Sequence, residues 1–487
     1  MTSREALAVG VVAAPALGAV LVALAPRRAV TAVATTVALV TCALTLALAA
    51  VALTDPSAPF VGDWIVVDAA AGLLIGAIGP VGLASILVSP AYLGTVQSGL
   101  VGPERRTRTY YVLLLTFWAI LLAVPLAGNL AGAWLLVEAT TAASAVLVGF
   151  SGRPRALEAG WKYLILTTLG LGFALLGIVL LAAGTPGGAL ENLSWQALKT
   201  FDSGADTALV AYLLLLAGLA AKIGWAPVHN WLPDAHAEAP PPVSALLSAA
   251  LLPAVLLVAW RSEQSLAPVV GPWTAQSVLI GFGLVSLAVA VPFLWRPLAW
   301  KRLLAYSSLE HMGVIALGIG FATPLALAGV AVHIVAHAIA KALGFYTAVP
   351  LLGHEPRAAG HSVTGIARTQ PVLGTSMGVS LGVLAGLPPF PLFASEVLIL
   401  AGGFQAGRTW AAAASTLLLA LGFLGLAHAL IETTVGKPHR RDPTKTPGLR
   451  GVWALTGVSV VALLALSAAA LWLPGSDIVE ALLQGVA

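Results

Sequence analysis

The sequence predicts an all-α polytopic membrane protein with about 14 transmembrane helices. Of its 487 residues, 59% are hydrophobic and only 9% are charged, whereas a soluble globular domain carries about 25% charged residues. Long apolar runs recur along the chain, and many reach the roughly 20 residues that a helix needs to cross a bilayer. No stretch resembles a soluble domain, and the basic residues form no patch suited to nucleic acid.

Apolar runs between polar breaks give the candidate spans in chain order. They lie near 6–25, 30–54, 69–92, 109–128, 129–150, 160–183, 208–230, 240–260, 268–294, 303–321, 324–351, 370–402, 409–432 and 450–473. The charged pair Arg27/Arg28 follows the first run rather than preceding it, which favours an uncleaved first span over a signal peptide. Cys42 is the only cysteine and lies in a span, which excludes disulfides and cysteine-ligated metals.

Two spans contain proline-rich interruptions, one between Lys222 and Asp234 and one between Gly386 and Glu396. Proline removes an amide donor and clashes with the preceding turn, so both helices are expected to break near mid-membrane. Such broken backbone persists only where it is buried in protein or lines a hydrated cavity.

Corresponding breaks in two halves of a chain indicate inverted repeats, as in transporters. We therefore predict two five-helix repeats, 109–260 (helices 4–8) and 268–432 (helices 9–13), each broken in its fourth helix. Residues 1–108 supply helices 1–3, and residues 450–487 supply helix 14.

Charged loops predict the topology. Most basic residues fall in alternate loops, namely Arg27, Arg28, Arg105, Arg106, Arg108, Arg153, Arg155, Arg296, Lys301, Arg302, Arg357, Arg368, Lys437, Arg440, Arg441, Lys445 and Arg450. The positive-inside rule then places both termini outside the cytoplasm, with the chain in the plasma membrane. Arg261 is assigned to a loop on the outer side. In the long polar connection 184–207, Trp195, Leu198 and Phe201 predict a short interfacial helix.

Six ionisable residues lie inside predicted spans: Glu138, Lys222, His333, His337, Lys341 and Glu396. An unpaired charge in hydrocarbon costs at least about 2.5–3.5 kcal/mol. Six such residues, of both signs and including two histidines, are typical of a path for protons or ions through a membrane.

His333, His337 and Lys341 are spaced four apart, which places them on one helix face. A histidine pair at this spacing can bind a metal, but no nearby carboxylate completes a zinc-like set. A hydrated proton wire fits better, because histidine titrates near neutrality. Polar packing between helices is the structural alternative.

Glu138 and Lys222 lie centrally in the first predicted repeat. Opposite charges there are expected to pair, since each holds the other in its charged form; a static pair that orders the bundle is the alternative. Glu396 follows the second break and is expected to occupy the place that Lys222 holds in the first repeat. It is a candidate proton donor or acceptor at the exit of the pathway, and a static charged group is the alternative.

Weaker candidates lie near the ends of spans. Glu310 and His311 either extend the polar axis or pair with Lys301 and Arg302 of the adjacent loop. Lys162 either reaches the membrane interface or bridges to the relay. After the first break, four residues form a metal site, a cytoplasmic proton mouth or a hydrated loop: His229, Asp234, His236 and Glu238.

Three segments are similar to the signature of the antiporter-like subunits of respiratory complex I: residues 222–247, Lys301–Ser308 and the helix of His333. That superfamily also contains multisubunit Na⁺/H⁺ antiporters and membrane-bound hydrogenases. The segments Tyr306–Gly313 and Gly386–Glu396 look most like hydrogenase-4 component F. The resemblance covers roughly 60–435.

The resemblance implies a role for each candidate. A glutamate of the fifth span that pairs with a lysine of the seventh matches Glu138 and Lys222, and a sixth-span lysine matches Lys162. The eleventh-span histidines and lysine match His333, His337 and Lys341, and the twelfth-span acid matches Glu396. Many complex I members place a lysine or histidine at the centre of the eighth span, where this chain has Ser248. The central axis must therefore pass through water, Ser248 and neighbouring helices, or be interrupted.

The sequence thus predicts a proton-translocating membrane subunit of a complex I-like or hydrogenase-4-like redox complex. The expected partners are other membrane subunits, a hydrogenase-like or complex I-like peripheral arm, membrane lipids and protons. The chain has no cysteine pattern, glycine-rich nucleotide loop or nickel site, so we expect no cofactor or redox centre of its own, and electron transfer belongs to partner subunits. A Na⁺/H⁺ antiporter subunit is one alternative, made less favourable because sodium needs several oxygen ligands together and the acids are isolated in the sequence. A non-conducting anchor for a hydrogenase-like arm is the other.

Overall fold

The computed structural model describes residues 3–95, 100–184, 193–201, 204–352, 363–437 and 449–485. The first ten α-helices are α1 (Ser3–Leu24), α2 (Val30–Thr54), α3 (Ala69–Thr95), α4 (Pro103–Ala123), α5 (Leu130–Val148), α6 (Pro154–Ala183), α7 (Ala205–Ile223), α8 (Leu232–Glu238), α9 (Pro241–Leu246) and α10 (Leu252–Val270). The next ten are α11 (Pro272–Leu294), α12 (Trp300–Phe321), α13 (Pro324–Tyr346), α14 (Ala348–Leu352), α15 (Ile366–Thr369), α16 (Pro371–Leu384), α17 (Pro391–Gln405), α18 (Thr409–Val435), α19 (Leu449–Ala469) and α20 (Asp477–Gln484). A π-helical segment, Leu247–Leu251, joins α9 to α10. A short antiparallel hairpin pairs β1 (Phe60–Val61) with β2 (Val66–Val67).

The predicted fold class is confirmed. Within the described ranges, 13 helices are long and apolar enough to cross a membrane, and α16 and α17 are shorter apolar helices on either side of the second break. With α16 and α17 counted as one interrupted span, each of the fourteen predicted runs corresponds to a helix. The inverted relation between the two repeats stays a prediction. The eighth span runs on to Val270, past the boundary at 260.

Both predicted breaks are present, and they have the same local geometry. Helix α7 ends before Gly224 (φ +81°) and α16 ends before Gly386 (φ +70°); this left-handed backbone favours glycine. After the glycine, the amide of Trp225 donates to the carbonyl of Ala220 at 3.0 Å, a bond back around the helix end of the kind that closes helices.

The second break repeats this bond, because the amide of Leu387 donates to the carbonyl of Gly382, also at 3.0 Å. The two glycines therefore serve as equivalent reference positions from which residues of the two breaks can be compared. Lys222 precedes its glycine by two residues, and in the second break that position is Leu384. The expectation that Glu396 occupies the place of Lys222 is wrong. Glu396 lies as far beyond Gly386 as Asp234 lies beyond Gly224.

The interior consists of the spans that carry the most polar side chains. Among the described spans, the eighth, Pro241–Val270, is the most buried, followed by α12 and then by the eleventh span. Helix α13 packs against α3, α9, α12, α16, α17 and α19. The Thr323 side chain caps its first turn by accepting from the amide of Ala326 at 3.2 Å. The ionisable face of α13 is thus enclosed by protein.

Arg261 is a buried residue of α10 and not a loop residue. Its guanidinium donates to both carboxylate oxygens of Asp68 at 2.9 Å and to the carbonyl of Pro125 at 2.8 Å. Asp68 also accepts from the amide of Ala71 in the first turn of α3 at 2.7 Å. This pair ties α10, α3 and the turn after α4 together. The prediction failed because the helix continues beyond the end of its apolar run.

Within the 184–207 connection, the described stretch 193–201 contains a short 3₁₀ helix at Ala197–Thr200. Trp195, Leu198 and Phe201 are buried in the protein. The indole of Trp195 donates to the carbonyl of Ala127 at 2.8 Å. Four of the basic residues used to predict topology lie outside the described residues: Arg357, Arg440, Arg441 and Lys445.

Candidate functional site: a buried ionisable axis

Lys222 lies in the last turn of α7, with its side chain fully buried. Its Nζ donates to the Thr141 hydroxyl at 2.7 Å and to the Tyr163 hydroxyl, and it lies 4.5 Å from the centroid of the Tyr163 ring. The Tyr163 hydroxyl is 2.7 Å from the hydroxyl of Ser144. The lysine is therefore surrounded by neutral oxygens of α5 and α6.

Glu138 and Lys222 do not meet in an ion pair. The Oε1 atom of Glu138 accepts from the Thr168 hydroxyl at 2.9 Å, and its Oε2 atom is buried without a hydrogen-bond partner. Glu138 lies about one helical turn before Thr141 on α5. Its carboxylate therefore acts on the lysine electrostatically, without contacting it. The predicted direct pair is replaced by a carboxylate and an ammonium that each bind hydroxyl groups.

The ionisable face of α13 is formed as predicted, with His333, His337 and Lys341 all fully buried. The Nε2 atom of His333 is 3.0 Å from Nδ1 of His311, and its Nδ1 is 2.9 Å from the hydroxyl of Ser395. Both ring nitrogens of His337 are buried without a partner, and its ring centroid lies 5.3 Å from that of His311. His311 of α12 is therefore a member of this cluster and not a partner of the loop.

Lys341 donates to the carbonyl of Leu304 at 2.6 Å and to the Ser307 hydroxyl. The next residue, Ser308, is 2.8 Å from the hydroxyl of Ser248 in the π-helical segment. Isolated π-helical turns occur frequently at functional sites. Ser248 therefore contacts α12, in the second predicted repeat, through a pair of hydroxyl groups. It does so at the position where the family resemblance led us to look for a lysine or histidine.

Glu310 and Glu396 lie closer together than their separation in sequence suggested. Glu310 is 3% exposed, with one carboxylate oxygen that lacks a partner, and it interacts electrostatically with both Lys341 and Glu396. Its carboxylate packs directly on Gly422 of α18. Glu396 is half-buried, and its carboxylate lies beside Gly386 of the second break. The acids of the second half are therefore not isolated, which corrects one argument made against a sodium site.

His236 is the functional candidate that sequence reasoning placed least well. It lies on the short helix α8, and both of its ring nitrogens are fully buried without a hydrogen bond. Its ring stacks on Phe345, one turn after Lys341, at 5.4 Å, and lies 6.3 Å from Trp231. Trp231 in turn lies 4.7 Å from Tyr163, the partner of Lys222.

His236 also interacts electrostatically with Lys341 and His337. It therefore stands between the Lys222 cluster and the α13 face. From the sequence alone, a histidine just after a helix break can lie either in the protein interior or in a hydrated loop, and no pattern distinguishes the two positions.

The acids around His236 face outward and bind bases. Asp234 pairs with Arg302 at 2.6 Å and with Lys162 at 3.6 Å, and Glu238 pairs with Arg153 at 3.4 Å. Across the described ranges, no three His, Cys, Asp or Glu side chains converge as metal ligands. The metal-site alternative for this cluster therefore has no support from its geometry.

Two weaker candidates lie at the edge of the axis. Lys162 also pairs with Glu158 of its own helix at 2.6 Å and is about half exposed, which fits a position near the membrane surface and beside α8. His229 lies in the turn between α7 and α8; it is mostly buried, with one ring nitrogen unpartnered.

Residues 127–422 match the family described as NADH:quinone oxidoreductase/Mrp antiporter, TM. This stretch is more than half of the chain and contains every member of the axis. The chain belongs to this family. The resemblance inferred from the sequence motifs is confirmed.

Similar proteins include the hydrogenase-4 component F homolog of Methylacidiphilum infernorum, 32% identical over 369 residues, which are 74% of this chain and 76% of the relative. NADH-quinone oxidoreductase subunit N of Desulforudis audaxviator is 30% identical over 353 residues, which are 70% of this chain and 67% of the relative.

Solved structures share the fold across the whole chain. A chain of the membrane-bound sulfane sulfur reductase, an archaeal respiratory membrane complex, has a TM-score of 0.84 at 21% identity, over 98% of this chain and 97% of that one. A chain of the Mrp complex from Dietzia sp. has a TM-score of 0.82 at 21% identity, over 99% and 97%. A chain of respiratory complex I from Thermus thermophilus has a TM-score of 0.80 at 23% identity, over 98% and 100%.

Proposed function

We propose that this chain is a proton-translocating membrane subunit of a redox complex like complex I or a membrane-bound hydrogenase. Its partners are other membrane subunits and a peripheral arm that performs the electron transfer. The chain lies in the plasma membrane with both termini outside the cytoplasm, the orientation that the positive-inside rule favours. Membership of the family and the names of its relatives support this assignment.

The observation that carries the proposal is the pair of fully buried lysines, Lys222 and Lys341, each of which donates only to neutral oxygens. An ammonium kept in such a place without a contacting carboxylate is costly to hold charged. Lysine in buried sites takes part in proton exchange for this reason. Each lysine instead has a carboxylate that acts on it electrostatically without contact, Glu138 on Lys222 and Glu310 on Lys341.

His236 is a side chain between the two lysines that can pass a proton; ring contacts through Trp231, rather than hydrogen bonds, link it to Tyr163. His236 lies between Tyr163 and Trp231 on one side and Lys341 and His337 on the other. Histidine binds and releases a proton at either ring nitrogen, and both nitrogens of His236 are free of other hydrogen bonds. This histidine offers the connection that the eighth span lacks.

From Lys341 the pathway continues through the second half to Glu396. Glu310 interacts with both Lys341 and Glu396. The bonded pair His311 and His333 ends at Ser395, the residue next to Glu396. We assign the half-buried Glu138 and Glu396 to the two ends of the pathway.

The test uses the intact complex, captured through a tag on this chain and reconstituted in sodium-free vesicles that contain a pH-sensitive dye. Electrons are supplied by NADH, hydrogen or dithionite in turn. We expect proton uptake that a protonophore abolishes, and a large loss of uptake per electron in Lys222→Met.

The matched control is Lys437→Met, which removes an exposed lysine two residues after the end of α18, and uptake is expected to stay at the wild-type level. A strict sodium requirement would favour the antiporter alternative. Unchanged uptake in Lys222→Met, with the complex intact, would favour the anchor alternative.

A further inference from the structure

Helix α8 depends on its neighbours for its position. It has only seven residues, Leu232–Glu238, between the first break and the proline-rich start of α9. In a helix this short, most backbone groups belong to one end or the other, and the helix is not stable by itself. Contacts from other helices must therefore fix where its side chains point.

Asp234 provides one such contact and binds two different helices. Its Oδ1 atom accepts from Arg302 of α12 at 2.6 Å, and its Oδ2 atom lies 3.6 Å from Nζ of Lys162 of α6. Helix α6 belongs to the first predicted repeat and α12 to the second. One carboxylate thus joins the two halves across α8.

The end of α8 is held by a second base from α12. Lys301 donates to the carbonyl of Ala237 at 2.8 Å and also to that of Ala239. Cations are favoured at such helix ends because they satisfy terminal carbonyls and oppose the helix dipole. Glu238 adds an ion pair with Arg153 of α6 at 3.4 Å.

The geometry of the helix links these contacts to the interior. Successive residues turn by about 100°, so Asp234 and His236 point to nearly opposite sides of α8. Asp234 reaches the charged surface, while the imidazole of His236 reaches the buried gap between Tyr163 and Lys341. A rotation of α8 would move His236 out of this gap.

We propose that Asp234 is a positioning residue of the proton pathway, holding α8 between α6 and α12 so that His236 connects the two halves. This inference rests on the proposed function. Asp234, Arg302 and Lys162 all have side chains that are partly exposed, at 30%, 46% and 48%. Ion pairs of this kind contribute little to stability, so their loss is expected to shift α8, which Lys301 and Arg153 still hold, while the fold remains intact.

The test compares Asp234→Asn with Glu158→Gln. Both changes remove a carboxylate from Lys162, but Glu158 lies on α6 itself and does not contact α8. We expect Asp234→Asn to lower proton uptake per electron by about fivefold, within the range of coupled neighbouring residues, at a wild-type yield of complex. Glu158→Gln is expected to leave uptake unchanged.

A double-mutant cycle with His236→Gln separates positioning from a general structural role. If Asp234 acts through His236, Asp234→Asn has no further effect once His236 is replaced. Replacement of Asp234 by Glu, which keeps the charge, is expected to restore part of the uptake. Equal losses on both backgrounds, or no loss in Asp234→Asn, would overturn the inference.

Failure of this inference and failure of the proposed function give different results. Lys222→Met with normal uptake contradicts the function as a whole. Loss of uptake in Lys222→Met together with normal uptake in His236→Gln contradicts only the placement of His236 and the role of Asp234.

Discussion

Gly422→Ala is a mild change that tests whether Glu310 belongs to the pathway. A Cβ atom at Gly422 would lie 1.9 Å from Oε1 of Glu310, whereas ordinary contact begins at 3.4 Å. The carboxylate must therefore retreat by about 1.5 Å, which it can do because it is the far end of a flexible side chain. Displacements of about 1 Å can cost as much as about 100-fold in rate where geometry matters. We expect proton uptake to fall by about tenfold or more on this basis.

Stability should change in the opposite direction or not at all. Alanine is favoured over glycine within a helix by about 0.5–1 kcal/mol, and the displaced group is a side-chain end rather than backbone. The matched control is Gly281→Ala in α11, where a Cβ would meet nothing within 4 Å. It makes the same helix-stabilising change without a contact.

The assay measures proton uptake and electron transfer in the same vesicles, with melting temperature and yield of complex as checks. We expect Gly281→Ala to match the wild type and Gly422→Ala to lose uptake at a normal melting temperature. Normal uptake in Gly422→Ala would refute the reasoning, since the carboxylate of Glu310 could then move without consequence.

Two further changes test the buried polar contacts. Removing one member of a buried ion pair commonly costs about 3–5 kcal/mol, so Arg261→Met should lower the melting temperature of the solubilised complex. The double variant Asp68→Asn/Arg261→Met should recover part of this loss. Equal melting curves for the single and double variants would contradict this. Ser395→Ala removes the hydroxyl bonded to His333 and should slow proton uptake without affecting assembly. Ser277→Ala removes a partly buried hydroxyl that is bonded to its own helix and to Arg408, away from the pathway, and should have no effect.

The spans, the two breaks and the α13 face could be predicted because each depends on local sequence. Apolar length sets a span, proline and glycine set a break, and a spacing of four sets a face. None of these needs knowledge of which helices touch. The family motifs added the expected roles of Glu138 and Lys222, though not their separate hydroxyl partners.

Contacts between distant segments could not be predicted in this way. Glu310 lies within electrostatic range of Glu396, and Arg261 pairs with Asp68, only because the helices pack as they do. The sequence leaves the place of His236 open between a metal site, a proton mouth and a hydrated loop, because its helix is too short to show a pattern. These placements decide whether a charged or polar side chain is solvated, paired or part of a path, and sequence spacing carries no information on them.

The central claim is that one pathway runs in series through both halves of this chain. It is tested most directly by the number of protons taken up per electron in sodium-free vesicles that carry Lys222→Met, Lys341→Met or both. A series pathway predicts that each single change removes the whole contribution of this chain and that the double variant loses no more. Smaller losses that add in the double variant would show two independent pathways, and no loss in any variant would show that the chain does not conduct protons.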